Sequence, residues 1–350
     1  RTSVSSANAS TQTQIASGQG NGWRKTKTTN GYDSLGRVVY VSDDGELGTL
    51  ADDSCTTSSY ADNTGLNILS LPAVTSTYSS VCNTPGVAIL KSTRTLYDNS
   101  TSAVPGSPGY VAPTNADPTR IDTATSVSGA NVTAWQAGPT TTYEPLGRPT
   151  QSTDNSPGTP RVTKTAYSPA TGPVTSVTTT NAANWQPTVT TLDAIRGNTL
   201  KTVDQNGHET STKYDPSGRE VASWDVRRPQ SSNPDNPSVE TSYSVSQTSP
   251  SWVKKTVING REQTSSSFTI YDGMGRVRQT QAQSPGNGAI VTDTTYNSAG
   301  NKDLVRNPYY VNTAPNGALV TPSIAVPSST LFDYDAYGRV TAERAMAGDN

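Results

Sequence analysis

The chain has little of what a compact enzyme is usually built from. Its 350 residues include one histidine, two cysteines, two methionines and two phenylalanines. Val, Ile, Leu and Phe together supply about 15% of the residues, below the ~20% at which a highly charged chain becomes disordered. The formal net charge is only −2, so that second condition is not met. No run of Lys and Arg is long enough to neutralise a line of phosphates, which argues against a nucleic-acid partner. No apolar run exceeds a few residues, which argues against a membrane-spanning helix. Residues 1–22, RTSVSSANASTQTQIASGQGNG, lack the basic and apolar regions of a signal peptide and read as a flexible polar lead-in. No Gly-rich phosphate loop precedes a helical pattern, and no convincing helical pattern occurs at all.

Sixteen tyrosines are present, together with abundant Thr, Ser and Val. All but Ser favour strands, so an all-β protein with thin, partly polar packing is expected. A sheet curved around a hollow has this composition, because its two faces do not meet in a dry core.

One motif recurs along the chain. YDSLGRV begins at Tyr32, YDPSGREV at Tyr214, YDGMGRV at Tyr271 and YDAYGRV at Tyr334, with weaker forms YEPLGRP at Tyr143 and YNSAGNK at Tyr296. Reactive residues are needed once, whereas a recurrent motif is a unit of construction. The fullest repeats, from Lys201 and Lys255, each run from an alternating stretch to Asn-Gly, through Thr-rich residues to Tyr-Asp, and out through Gly-Arg into another alternating stretch. This predicts two strands per repeat, with Tyr-Asp ending one and the residues after Gly-Arg starting the next.

Asn206-Gly207 and Asn259-Gly260 are hairpin signals of type I′, in which both central residues take positive φ. The Asp-x-x-Gly segments can form a second turn, with the carboxylate of Asp215 or Asp272 accepting backbone N–H bonds and Gly218 or Gly275 supplying the left-handed position. Asp33, Asp335, Gly36, Gly147, Gly300 and Gly338 are the corresponding motif positions of the other copies. Arg37, Arg148, Arg219, Arg276 and Arg339 complete the motif. An Arg here could stack on a motif Tyr of its own or an adjacent repeat, fork onto a motif Asp, or lie solvated at the surface. LDAIRGNTL at Leu192 and AYSPATGPV around Tyr167 carry one extra residue before Gly, which predicts a bulge or wider turn.

Cys55 and Cys82 have no CxxC partner, and His208 lies far away in sequence, so a zinc site is not expected. They are either two buried thiols or a disulfide. The disulfide is the expectation, worth about 3 kcal/mol in the loop-entropy model, and it implies an oxidising compartment. A Ser-His-Asp triad would have to use His208, which follows the Asn-Gly turn and reads as a strand-surface residue. The pairs Asp43 with Asp44 and Asp52 with Asp53 lack the spacing of a calcium loop and read as solvated turns. No catalytic, cofactor-binding or metal-binding residue is assigned, and no cofactor is expected.

The Tyr-Asp-x-x-Gly-Arg copies, with Asp-x-Asn-Gly at Asp204 to Gly207, resemble the YD-repeat (Rhs) family. The tract YDSLGRVVYVSD, then DDSCTTSSYADNTGLNILSLP, then RTLYD at Arg94 to Asp98, is similar to one in its long actinobacterial members. The resemblance implies a long antiparallel sheet of hairpins spiralling into a hollow shell, as in bacterial Rhs toxins, toxin-complex B and C components and teneurins. In the toxins the shell encloses a C-terminal effector. The implied role is a non-enzymatic structural segment, secreted or at the cell surface, whose partners are other repeats and an enclosed effector polypeptide. The alternative is an extracellular glycan-binding or adhesive surface using Trp23, Trp135, Trp185, Trp224 and Trp252. The expected division is a lead-in at 1–22, a YD repeat at 23–42, an insertion carrying the disulfide at 43–133, and a repeat array at 134–350 with a Pro/Ser-rich loop at 227–238.

Overall fold

The computed structural model describes residues 9–16, 23–156, 158–181, 183, 185–258, 262–322 and 326–348. Among them are 24 strands and a single 3-10 turn at Thr64–Leu66, so the chain is all-β. It divides into two compact units, residues 1–166 with 179–185, and residues 167–178 with 186–350.

The first unit contains β1 (Ala9–Ala16), β2 (Trp23–Tyr32), β3 (Val38–Glu46), β4 (Ser54–Asn63), β5 (Ile68–Tyr78), β6 (Ile89–Tyr97) and β7 (Pro118–Ser128). Each pairs antiparallel with the next. Strand β7 then forms a hairpin with β8 (Asn131–Gln136) and also meets β9 (Thr140–Tyr143), which leads through β10 (Pro149–Asp154) to β11 (Arg161–Ser168).

Two sequence expectations are corrected here. Within the lead-in, residues 9–16 are strand β1, in register from Ala9 opposite Asn30 to Ala16 opposite Trp23. The polar composition of this stretch is compatible with a strand, because backbone N–H and C=O groups make the ladder whatever the side chains are. The stretch 43–133 also does not interrupt the sheet, because β4 to β8 continue its ladder.

In the second unit β13 (Thr188–Leu192), β14 (Thr199–Val203), β15 (Glu209–Tyr214), β16 (Glu220–Trp224), β17 (Val239–Ser244) and β18 (Ser251–Ile258) follow β12 (Ser176–Thr180). They are succeeded by β19 (Thr264–Tyr271), β20 (Val277–Gln283), β21 (Ala289–Tyr296), β22 (Lys302–Val311), β23 (Ser328–Tyr334) and β24 (Val340–Ala347). From β13 to β24 every strand pairs antiparallel with its sequence neighbour. The Pro/Ser-rich residues 227–238 form turns between β16 and β17.

Six motif tyrosines, 32, 143, 214, 271, 296 and 334, each end a strand, and the next strand begins six residues later. The intervening turn has one form. In Asp272–Arg276 the Gly275 N–H donates to the Asp272 carbonyl at 3.0 Å, and the Asp272 N–H to the Arg276 carbonyl at 2.9 Å. Gly275 has φ of 75°, so a Cβ there would be strained. This is a type I turn closed by a left-handed glycine and a bulge, and the register shifts at that point between Ile270 and Tyr271.

Asp204–His208 folds identically, which corrects the type I′ expectation. Gly207 has φ of 77°, but Asn206 is not among the residues of positive φ. The Asp204 carboxylate decides this by accepting the N–H groups of both Asn206 and His208 at 2.8 Å. The second Asn-Gly pair, Asn259-Gly260, lies outside the described residues. In the degenerate copy, Asp193 pairs its N–H with the Asn198 carbonyl at 2.8 Å, so the extra residue widens the loop while leaving the closure intact.

Two apolar clusters lie where a long connection doubles back onto the sheet. In the first unit Ala61, Ala73, Leu96 and Tyr97 are covered by Ala103, with Tyr110 beside them. In the second, Ala289, Val291, Tyr309 and Val311 are covered by Val326, with Val320 alongside. Elsewhere the strands are mostly half-buried, as the low Val, Ile, Leu and Phe content requires.

Candidate functional site: a repeated tyrosine latch

The turn positions its aspartate first. Asp33, Asp215, Asp272 and Asp335 each accept two backbone N–H bonds of 2.9 Å on one carboxylate oxygen. The other oxygen takes the Nε of the motif arginine at 2.6–2.8 Å. For Asp272 the Arg276 backbone N–H is the largest influence, and together with the guanidinium it holds the carboxyl below its usual range against the opposing effect of burial. Glu144 and Arg148 form the equivalent pair in the YEPLGR copy. Asn297 replaces the aspartate in YNSAG and still accepts two backbone bonds of 3.0 Å.

Held by its carboxylate, the arginine lies over a tyrosine of the second strand after it. The guanidinium carbon sits 4.5 Å from the Tyr60 ring centre for Arg37, 4.4 Å from Tyr243 for Arg219, and 4.0 Å from Tyr296 for Arg276. Two of the sequence alternatives therefore hold together, since the same arginine forks onto its own aspartate and stacks on the next repeat's tyrosine. Arg276 also donates to the Gly300 carbonyl at 2.9 Å.

The same tyrosines reach back by their hydroxyls. Tyr60, Tyr143, Tyr214, Tyr243 and Tyr296 donate to the carbonyls of Val38, Pro118, Thr199, Glu220 and Val277, at 2.7–3.2 Å. Each acceptor is the first residue of its strand. Tyr97 does the same to Pro72 at 3.0 Å within β5. In all six cases the residue two beyond the acceptor pairs with the residue three before the tyrosine, giving Tyr40 with Thr57, Val74 with Arg94, Arg120 with Thr140, Lys201 with Ser211, Ala222 with Glu240 and Gln279 with Asp293. The latch therefore fixes strand register. Sequence reasoning missed Tyr60 and Tyr97 as members, because neither is followed by Asp-x-x-Gly.

Arg276→Ala is expected to lower stability by about 1–2 kcal/mol, through loss of the stack on Tyr296 and the bond to Gly300. The ion pair with the solvent-facing Asp272 adds little to this. Urea denaturation of the variant checks it, and an unchanged midpoint would mean a solvated arginine.

Two buried carboxylates lie away from the turns. Asp122 receives Arg94 Nε at 2.8 Å and Arg120 Nε at 2.7 Å, and Arg94 also stacks on Trp135 at 4.6 Å. Burial pushes the Asp122 carboxyl up, but the two guanidiniums outweigh it and hold the group below the usual carboxylate range. Asp293 receives Tyr309 Oη and Gln279 Nε2, both at 2.6 Å, with Arg278 at 3.4 Å and Arg306 at 3.7 Å. Gln279 also bonds both backbone groups of Val320, and Gln281 bonds the Ala318 carbonyl and the Asn316 N–H. These two amides clamp an extended connection to the sheet by its backbone.

Asp98 is the aspartate of the RTLYD tract. Burial raises its carboxyl, but four N–H groups from residues 114–117 outweigh that and lower it below its ordinary value. A connection from 99 to 117 therefore closes on Asp98 much as x-x-Gly-Arg closes on Asp272.

Cys55 and Cys82 form a disulfide, with Cα atoms 4.9 Å apart. It ties the connection after β5 to the start of β4, beside a cavity of about 290 Å³ lined by Val39, Tyr40, Tyr78 and Val87. His208 Nδ1 lies 3.3 Å from Asp204 and is a turn-closing partner. Asp44 pairs with Lys27 at 2.9 Å, and Asp52 accepts the Glu46 N–H at 2.9 Å. Among the tryptophans, Trp224 is buried and donates to the Asn233 carbonyl, Trp252 meets Phe268 edge-on at 5.2 Å, and Trp185 is exposed. The Trp23 side chain lies outside the described residues. Among the described residues no group of three or more His, Cys, Asp or Glu is placed to hold a metal ion. None of their helices is long and apolar enough to cross a membrane.

No family model and no curated protein matches the chain by sequence. By structure it is similar to the crystal structure of TcdB2-TccC3 without its hypervariable C-terminal region, with a TM-score of 0.60 at 13% identity over 91% of this chain. It is similar also to that of TcdB2-TccC3-TEV, with a TM-score of 0.60 at 11% identity over 95% of this chain. The chain spans only 24% and 26% of those two chains. At this identity the likeness establishes the fold, an antiparallel β architecture shared with TcdB2-TccC3.

Proposed function

We propose that the chain is a structural segment of a YD-repeat (Rhs) shell that encloses or presents a C-terminal effector, in toxin delivery or contact-dependent competition. The observation that carries this reading is the latch, which spends the recurrent Tyr, Asp, Gly and Arg on aligning one hairpin with the next. The fold shared with TcdB2-TccC3 supports the reading, as does the resemblance of the repeats to the YD family. The partners are then the neighbouring repeats and an enclosed polypeptide, and the site of action is outside the cell or on its surface, where the disulfide persists.

In this role the segment is mechanical, and the purified chain turns over no glycan or peptide substrate. Electron microscopy of the parent protein tests the reading: density for polypeptide inside a repeat-built wall is the expected result. A chain that hydrolyses or transfers any such substrate, or a parent with an empty interior throughout, would overturn it.

One observation favours a second reading, an extracellular carbohydrate-binding or adhesive surface. Trp185 is 61% exposed and offers a ring for stacking on a sugar. Glycan-array binding that disappears in Trp185→Ala would select it.

A further inference from the structure

One latch inside the first unit has a carboxylate where others have a cation. The Asp98 N–H donates to the Asp117 carbonyl at 2.9 Å, as the Asp272 N–H does to that of Arg276. The Asp117 N–H returns to the Asp98 carboxylate at 3.1 Å, as the Arg276 N–H returns to Asp272 at 2.9 Å. The next residue, Pro118, accepts the Tyr143 hydroxyl, just as Val277 accepts that of Tyr296. Asp117 therefore stands in the place of Arg37, Arg219 and Arg276, and Tyr143 presents the ring that each of those arginines covers in its own latch. Among the described residues no Arg or Lys pairs with Asp117 or lies over Tyr143. The ring instead borders a cavity of about 540 Å³, which Asp98, Asn99, Asn115, Asp117 and Glu144 also line. Glu144 is engaged by Arg148. Asp98 is filled by backbone N–H groups, three of them on the oxygen that takes the arginine Nε at Asp272. Asp117 is thus the carboxylate left unpaired. Burial, and behind it the charge of Asp98, raises its carboxyl above the usual value, and its own charge adds to burial in raising the Tyr143 hydroxyl.

We propose that this cavity binds a guanidinium supplied from outside the turn, which lies over the Tyr143 ring and donates to the Asp117 carboxylate. The filled latches show the ligand's chemistry, since in three of them a guanidinium carbon sits 4.0–4.5 Å from the equivalent ring centre. A guanidinium suits the place because its plane can cover a ring while its edge N–H groups reach a carboxylate beside it. A metal ion does not, because among the described residues no group of three or more His, Cys, Asp or Glu is placed to hold one. The guanidinium comes either from a free small molecule or from an arginine of another polypeptide, and the test separates the two. The inference goes beyond the scaffold reading and stands without it, because it rests on this one latch and its cavity.

The test titrates N-propylguanidinium and its neutral isostere N-propylurea into the intact chain, followed by saturation-transfer NMR. Saturable binding of the guanidinium at millimolar concentration is expected, about tenfold tighter than that of the urea. Asp117→Asn should weaken it about tenfold, through loss of the charged acceptor. Asp117→Arg should abolish it, because the new side chain then covers Tyr143 itself. Both changes leave the backbone bonds of position 117 in place, and Arg148-Pro149 shows that an arginine before proline is accommodated at this point of the turn, so both variants are expected to fold. A second probe, the peptide acetyl-Gly-Arg-Gly-amide, identifies the source. Tighter binding than propylguanidinium assigns the site to an arginine of another polypeptide, and its exclusion while propylguanidinium still binds assigns it to a free small molecule. Equal binding of guanidinium and urea, affinity unchanged in Asp117→Asn, or undiminished binding in Asp117→Arg would each overturn the inference. So would the absence of saturation by either guanidinium probe at tens of millimolar.

Discussion

Replacing Asp293 with alanine is expected to destabilise the second unit by about 3–5 kcal/mol, a large part of what holds a unit of this size together. The carboxylate is buried, and four side chains converge on it, Tyr309, Gln279, Arg278 and Arg306. Removing it leaves the Tyr309 hydroxyl without its acceptor and takes from Arg278 and Arg306 the carboxylate they share. It also loosens Gln279, the amide that holds Val320 over the apolar cluster of Val291, Tyr309 and Val311. Urea denaturation gives the size of the effect, and a double-mutant cycle gives its origin. Tyr309→Phe should cost clearly less in the Asp293→Ala background than in the parent, because the bond it deletes is already gone. A loss below about 1 kcal/mol would mean that water takes over the carboxylate's role.

Removing the disulfide by the double change Cys55→Ser and Cys82→Ser is expected to cost about 3–4 kcal/mol, by the chain-entropy account for a closed loop with a sequence separation of 27. The bond compensates for a local shortage of apolar contact. Around it, β3, β4 and β5 are joined mainly by backbone bonds and by polar pairs such as Thr56 with Thr77. The loss should fall on the first unit. Hydrogen exchange should therefore rise in residues 38–78 and leave residues 264–311 unchanged. Equal change in both stretches would contradict this placement.

The turn chemistry was legible in the sequence because it is local. Asp-x-x-Gly-Arg carries its acceptor, its left-handed residue and its cation within five positions, so a string search finds it. The strand ends at Tyr32, Tyr214, Tyr271 and Tyr334 follow directly. The Asn206-Gly207 turn was misjudged for an equally local reason. The dipeptide favours one turn, but Asp204 two positions earlier captures two backbone N–H groups and imposes another.

What the sequence hid is non-local. The continuity of residues 43–133 with the sheet depends on Tyr60 and Tyr97, which latch onto Val38 and Pro72 although neither is followed by Asp-x-x-Gly-Arg. The Asp98 turn is masked because its partners lie 16–19 residues away, at 114–117, and no fixed spacing marks them. Asp122 and Asp293 look like ordinary strand-surface carboxylates in sequence. Only the register, which sets Arg94 opposite Asp122 and Arg306 opposite Asp293, shows that each is enclosed.

The latch also determines how errors of alignment propagate. In a sheet whose register is inherited from strand to strand, a slip of one residue anywhere turns every later side chain to the wrong face. Here six tyrosines each set their strand's position from a carbonyl on a neighbouring strand, so the register of each such pair is fixed by its own latch and does not depend on the length of the connections around it. The same independence frees the connections. A five-residue turn at Asp272 and a loop from 99 to 117 at Asp98 both return the chain to the sheet in the same register, Tyr271 with Val277 in one case and Tyr97 with Pro118 in the other. Connection length is thus decoupled from strand alignment, and loops of very different size can be mounted on the sheet without disturbing its order.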